Sequence, residues 1–506
     1  MVSRLALALA SGALFAWSFP NVAQGWLAFI ALAPLLIAVV RARTNREAFF
    51  LGWASMATAW LIMVPWVVRV MSHYGGLPYA TGVVIFIAMS AYLGLYGALF
   101  TWIVKRLRLG TRFAPWLLVP LVWAAIEFVR TYFLTGFPWN LIATALIDYP
   151  AFVQLDRFAG PYFLGALLVL PAVVIAWFVT QPAQPIARVI VAGALGILIL
   201  VWWGTGLVAS KLIVRPRGNP TVSAALLQPN ISQEMRWDED NVLTIFRRMT
   251  GMTVEAANKG AKIIVWPEST VPLSYTETPF YKDTIEELSR QYDVDIILGS
   301  VATDPNRPAS LWNSAFLVSG GRTIGHYDKI RLVPFGEYVP LRRVLFFAEK
   351  LVRAVGTFEF GTNDEPLAGK QKYGLAICYE VVFPQITRTQ VRNGADVLVT
   401  ITNDAWYDGT SAPEQHLWQA RMRAVEDDRY MLRAGTTGIS AFIDPTGQMQ
   451  SWIPMGRDGI IYAKFEPRTG QTGYVRFGDW FAWVAVGGVV VALFMRRRVG
   501  ELKIEN

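Results

Sequence analysis

The chain holds one cysteine, Cys378, and three histidines, so a reactive sulfur here has no disulfide partner and little imidazole to help it. Cys378 lies in Lys372–Val381, K-Y-G-L-A-I-C-Y-E-V, where apolar Leu375, Ala376 and Ile377 lead into the thiol and Glu380 follows. That pattern is a buried strand presenting a side chain at its C-terminal tip. A lone thiol is either inert core filler, the commoner role of a buried cysteine, or a nucleophile. With a reference pKa of about 8.5 it is mostly protonated at neutral pH. Attack on a carbonyl then needs a base for the proton and a cation or N–H group for the oxyanion. Two other stretches offer such groups. Ile263–Thr270, I-I-V-W-P-E-S-T, places Glu268 just past a buried strand and Pro267; Tyr327–Pro340, Y-D-K-I-R-L-V-P-F-G-E-Y-V-P, carries Lys329 and Glu337. Singly each is bland, since a strand-end glutamate is usually solvated and a lone lysine usually lies at the surface.

A Cys–His pair using His326 or His416 is the rival arrangement. No Cys or His pair has metal-ligand spacing, and the acidic runs Asp238–Asp240 and Glu426–Asp428 suit solvated helix starts or faces. No glycine loop of the Walker type is present. Neither a metal nor a cofactor is expected.

The elements that must hold these residues lie between about 220 and 470, where composition is that of an ordinary globular domain. Strands are predicted at Thr221–Leu227, Lys262–Trp266, Asp295–Gly299, Asn313–Val318, Tyr373–Cys378 and Asp396–Thr400. Helices are predicted at Val242–Ala257, Tyr281–Tyr292 and Glu414–Arg429. The alternation indicates an α/β sheet with helices packed on it and sites at strand ends.

The rest is too apolar for water alone. Hydrophobic residues make up 54% of 506 positions and charged ones 16%, against about 25% charge in soluble chains. The excess falls in residues 1–210 and 478–497, leaving 498–506 as a tail. Eight spans are predicted: Leu5–Phe19, Trp26–Val40, Phe49–Val70, Tyr79–Val104, Pro115–Leu134, Tyr162–Val179, Val189–Ala209 and Trp480–Phe494. A cleavable signal peptide is the rival for the first, but the next apolar run follows closely enough to pair with it as a hairpin. Arg41, Arg43 and Arg46, then Lys105, Arg106, Arg108 and Arg112, then Arg188, then Arg496–Arg498 mark alternate loops. The positive-inside rule puts those loops and both termini in the cytoplasm and the 220–470 domain outside it. The net charge of +9 therefore reports topology rather than a nucleic-acid partner. Aromatic residues in Gly136–Asn140, G-F-P-W-N, suit interfacial anchors or the lining of a lipid entrance, and Glu127 and Arg130 are spaced to pair on one helix.

In the order Glu, Lys, Cys, with these flanks, the globular part resembles the nitrilase superfamily. With its spans the chain resembles the apolipoprotein N-acyltransferase family of bacterial inner membranes over essentially its full length. The matching segments are Gln228–Ile231 followed by Trp237, Trp266–Glu268, Trp312–Ser314, Gly336–Pro340, Cys378–Glu380 and Asn403–Trp406; Tyr407 stands where phenylalanine is expected. The resemblance implies a multi-span helical domain joined to an αββα sandwich. It assigns Glu268 as general base, Lys329 as oxyanion stabiliser and Cys378 as nucleophile, with Glu337, Tyr379, Glu380, Trp237 and Asn313 in support. It also implies a phospholipid acyl donor and, as acceptor, the N-terminal diacylglyceryl-cysteine of lipoproteins. A monomer in the bilayer is expected.

Leu341–Val355 sets apolar residues, including Phe346 and Phe347, against Arg342, Arg343, Lys350 and Arg353. It reads either as an interfacial arm beside the site or as an ordinary amphipathic helix on the core. Two other functions stay open. A membrane-tethered amidase would use its spans only as an anchor. A transporter or receptor would carry charged or broken helices at mid-membrane, of which the sequence shows few.

Overall fold

The computed structural model describes residues 1–502 apart from 182–183, 216, 219–220, 233–240, 272–273, 305 and 340–357, and side chains apart from 308–309 and 497–502. Trp237, Phe346, Phe347 and the stretch 341–355 lie outside the described residues. The chain forms two units, one of Met1–Ser72, Leu77–Ser210 and Phe477–Asn506, the other of His73–Gly76 and Lys211–Arg476.

In the second unit, runs such as Ile263–Val265 and Val397–Thr402 are apolar throughout because both faces of their sheets are covered. Twelve strands form among the described residues. They are β1 Val222–Gln228, β2 Ile263–Val265, β3 Asp295–Asp304, β4 Arg307–Ser319, β5 Arg322–Asp328 and β6 Leu367–Ala368, then β7 Lys372–Ile377, β8 Val397–Thr402, β9 Met431–Gly435, β10 Ser440–Ile443, β11 Met449–Ile453 and β12 Gly459–Phe465. They pair as two six-stranded sheets, β12-β1-β2-β3-β4-β5 and β11-β10-β9-β8-β7-β6. The centre of each is parallel and the flanks antiparallel.

Alternate residues face opposite ways along a strand. Leu226, Val265, Ile297 and Leu317 of the first sheet thus share a core with Leu375, Val399, Ile401 and Leu432 of the second. Their neighbours Leu227, Ile264, Ile296 and Phe316 turn outward against Phe246, Met249, Tyr281 and Ile285, which lie on helices Val242–Asn258 and Pro279–Tyr292. Helices Pro384–Arg392 and Ala412–Asp427 pack on the second sheet, giving four layers, αββα. The buried Asp295 carboxylate clasps the two sheets, accepting from Ser319 Oγ of β4 (2.6 Å) and Tyr373 Oη of β7 (2.7 Å).

The six predicted strands and three predicted helices all form. β7, however, ends at Ile377, one residue short of the predicted Cys378, because the thiol-bearing residue has already left the extended conformation (φ +50°).

The first unit is helical, and its spans are less regular than predicted. Among the described residues four helices are long and apolar enough to cross a membrane: Tyr79–Arg106, Ala114–Tyr132, Pro161–Thr180 and Pro185–Ile213. The predicted single span Phe49–Val70 is two pieces, Asn45–Met63 and Trp66–Tyr74, bent by 56°. Pro65 at the break lacks the N–H that a continuous helix needs. The predicted Trp26–Val40 span divides likewise into a 3-10 turn, Gly25–Phe29, and a helix, Ala33–Arg41, with Pro34 in its first turn. Val2–Trp17, Gly25–Arg41 and Trp480–Arg496 are apolar but shorter. Glu127 and Arg130 do pair (3.7 Å), and Arg130 also holds the carbonyls of Phe137 and Trp139 (both 2.8 Å), fixing the aromatic loop.

Candidate active site

Strand register brings the polar residues together. In the β4–β5 pair Ser314 faces Asp328, so Asn313 and Lys329 are cross-strand neighbours, joined by a Lys329 N–H to Asn313 carbonyl bond of 2.9 Å. Glu268 lies three residues past the end of β2. Its main chain passes close over Gly299 of β3, where an added Cβ would stand 2.5 Å from Ser269 N and 2.7 Å from Glu268 Cα. Glycine is what lets the carboxylate come this near. Ser269 (φ +50°) and Phe335 (φ +61°) occupy the left-handed region beside Glu268 and Glu337, a conformation that costs about 1 kcal/mol or more and must be held by its surroundings.

The side chains interlock. Asn313 Nδ2 donates to Glu268 Oε1 (2.8 Å) and to Glu337 Oε1 (3.0 Å). Lys329 Nζ donates to Glu337 Oε1 (2.9 Å) and stands 3.5 Å from Glu268 Oε1. The Asn403 N–H holds Glu268 Oε2 (2.9 Å), and the Val333 N–H holds Glu337 Oε2 (2.8 Å). Burial works against the Lys329 ammonium, but the Glu337 and Glu268 carboxylates outweigh it and hold its pKa well above that of ordinary lysine. Lys329 is therefore a permanent cation, 1% exposed.

Cys378 is buried, 7% exposed, and opens a 3-10 turn, Cys378–Val382, directly after β7. Ile377 pairs with Ile401, so the thiol lies beside the carboxyl end of β8. Burial first, then the Glu268 carboxylate, push the thiol up, against the pull of Lys329. It rests as S–H, and its proton must leave during attack. The residue that follows β8, Asn403, is the one whose N–H holds Glu268, so strand order sets the thiol and the carboxylate at the same sheet ends.

Glu380 serves the backbone. Its carboxylate accepts from the N–H groups of Ile330 (2.6 Å), Arg331 (3.0 Å) and Ile377 (2.8 Å) and from Tyr327 Oη (3.0 Å). It thereby ties the Lys329 segment to the residue before the thiol. Burial raises its pKa to about 7 despite those donors. Tyr379 sets its ring edge-on to Phe383 (5.2 Å). Of the predicted supporting residues, Asn313 and Glu337 thus join one side-chain network with Glu268 and Lys329, Glu380 bonds the backbone on either side of it, and Tyr379 follows the thiol.

The two histidines of the rival pair have other partners. His326 lies on β5, 3.5 Å from Asp328. His416 Nε2 reaches the Cys378 carbonyl oxygen (2.9 Å). Sequence reasoning missed that role, along with those of Asp404, Arg433 and Gly299. The N-D-A-W segment and the buried charges near 416–433 were the available signals. Among the described residues no group of three His, Cys, Asp or Glu could hold a metal ion.

The αββα sandwich that holds this carboxylate, buried ammonium and strand-end thiol falls within residues 223–474, which match the carbon-nitrogen hydrolase family model. A second family model, the apolipoprotein N-acyltransferase N-terminal domain, matches residues 11–174. The apolipoprotein N-acyltransferase of Geobacter metallireducens is 35% identical, over 97% of this chain and 95% of its own. That of Methylococcus capsulatus is 32% identical, over 97% and 96%. The chain belongs to the apolipoprotein N-acyltransferase family. Among solved structures, an amidase from Nesterenkonia sp. aligns with 52% of this chain and 95% of its own, at 20% identity and a TM-score of 0.39.

Proposed function

We propose that this chain transfers a fatty acyl group from a phospholipid, through a thioester on Cys378, to the N-terminal amine of a diacylglyceryl-cysteine on an apolipoprotein. One observation carries the reading: the lone thiol follows β7 beside the end of β8, where the Asn403 N–H holds the Glu268 carboxylate of a buried cluster that also contains Lys329. Glu268 takes the thiol proton as sulfur attacks the ester carbonyl, and Lys329 stabilises the oxyanion. As the intermediate collapses, the C–O bond breaks and Glu268 returns the proton to the departing lysophospholipid oxygen. In the second half the acceptor amine attacks the thioester carbonyl, Glu268 relays the amine proton to sulfur, and the C–S bond breaks. Water must be excluded in between, or the thioester hydrolyses.

In this reading the apolar helices make eight passes, two of them irregular, through the bacterial inner membrane. The catalytic domain is periplasmic and both termini are cytoplasmic, as the Lys and Arg distribution supports. The protein acts as a monomer, and Phe346 and Phe347 assist acyl transfer from lipid. The test is a proteoliposome assay with phospholipid donor and a synthetic diacylglyceryl-cysteine peptide. Transfer should show ping-pong kinetics and be abolished by Cys378→Ser, and serine at both Phe346 and Phe347 should lower it while leaving the fold intact. A Cys378→Ser variant with near-normal transfer would refute the nucleophile assignment.

A further inference from the structure

We infer that His416 is a positioning residue for acylation: by gripping the Cys378 carbonyl it aims the Tyr379 N–H at the oxyanion opposite Lys329. The inference rests on the proposed role of Cys378 as the acylated group.

The Cys378–Tyr379 peptide is planar and trans, so its C=O and N–H point in opposite directions. Fixing one fixes the other. Cys378 stands at φ +50°, a conformation a non-glycine residue keeps only when held. Beside the 3-10 turn it opens and the Glu380 bond to Ile377, Cys378 is held through its carbonyl oxygen by His416 Nε2, 2.9 Å away. A carbonyl can only accept, so this nitrogen carries the hydrogen. Engaged with the backbone, it is not the base for the thiol.

The imidazole is itself braced from behind. Nδ1 lies 3.1 Å from Asp404 Oδ1 and 3.2 Å from Arg433 Nη2. Arg433 donates to Asp404 Oδ2 (2.6 Å) and to the Ile439 carbonyl (3.0 Å), and Thr402 Oγ1 donates to Asp404 Oδ1 (2.9 Å). The cluster is closely packed: a Cβ on Gly438 would stand 2.5 Å from Asp404 Oδ2. Arg433, Asp404 and His416 come from β9, the turn after β8 and helix Ala412–Asp427. A strand, a turn and a helix of the second sheet's layer therefore support one peptide plane. Such a brace matters for a step that builds an oxyanion, and less for a reaction of the same sulfur that builds none.

Two variants separate positioning from mere filling of the cluster. The amide nitrogen of His416→Gln reaches the place of Nε2 and can still donate to Cys378. His416→Asn reaches only the place of Nδ1, keeping contact with Asp404 and Arg433 but losing the carbonyl. With full-length protein in detergent, acylation is read as the p-nitrophenolate burst from a p-nitrophenyl acyl ester, and thiol reactivity as alkylation by iodoacetamide. His416→Asn should slow the burst by about 100-fold, the scale of losing one oxyanion donor. His416→Gln should remain within about 10-fold of wild type, and alkylation should change by no more than about 3-fold in either, because displacement of iodide builds no oxyanion. His416→Asn acylating as fast as His416→Gln, or burst and alkylation falling in parallel, would overturn the inference alone. A wild-type protein with no burst would overturn the proposed nucleophile and this inference with it.

Discussion

Asn313 shows how a neutral residue can set the state of a charged site. Its Nδ2 bridges Glu268 and Glu337, two carboxylates that share one cation, Lys329. Asn313→Asp would replace the bridging donor with a third negative charge in the same buried space, where like charges are screened least. Transfer should fall by at least about 100-fold, the scale of losing preorganised electrostatic support, while the far-UV circular dichroism stays native. Near wild-type activity would show that the bridge is dispensable. The glutamate and the cysteine were legible in the sequence, because each followed an apolar run, whereas Lys329 follows His326, Tyr327 and Asp328 and was marked only by its flanks. The partners of Glu268 were not: Asn313 and the Asn403 N–H reach it across 45 and 135 positions, and no local pattern encodes that.

Elements bring these groups within reach, and two features at that scale can be tested. Gly299→Ala places a methyl group against the main chain of Glu268 and Ser269, so the base must shift. The variant should lose about 1–3 kcal/mol of stability, as overpacked sites do, and activity should drop at least about 10-fold, since small misplacements of catalytic groups are costly. A fully active, equally stable protein would contradict the close approach. The second feature is the Glu380 clasp between the Lys329 segment and β7. Its folded-state pKa of about 7 lies above the ordinary 4.5, so the folded protein binds this proton more tightly than the unfolded chain does. It thus contributes stability below pH 4.5 that is lost as the pH rises through 7. Asp427, raised by burial and by Glu426 to about 7, adds the same trend. Asp404 runs the other way: although burial pushes it up, Arg433 and His416 hold it at about 2, so its contribution is lost only as the pH falls through that value. Tm should therefore rise by several degrees from pH 8 to pH 5, with a shallower slope in Glu380→Gln. A Tm that falls over that range would contradict the assignment. The strands carrying the site were legible because fully buried strands read as continuous apolar runs. The later strands β9 to β12 were not anticipated. Arg433 in β9 and the alternating exposure of β11 and β12 break the run.

At the scale of the whole molecule, composition separated the apolar helices from the globular sandwich, since 54% hydrophobic residues exceed what one soluble core needs. Hydropathy marked where the apolar segments lie but not whether each is one straight helix. Pro65 and Pro34 break two of them, because a missing N–H matters to a helix and is invisible to a hydrophobic average. Everything proposed for this chain requires Cys378 to carry the acyl group between two substrates. The direct measurement is intact-protein and peptide mass spectrometry of full-length protein incubated with phospholipid vesicles and no acceptor. The account predicts a mass increase of one fatty acyl group, located on Cys378, cleaved by hydroxylamine and lost on adding a diacylglyceryl-cysteine peptide. An unmodified Cys378, or an acyl group on any other residue, would contradict it.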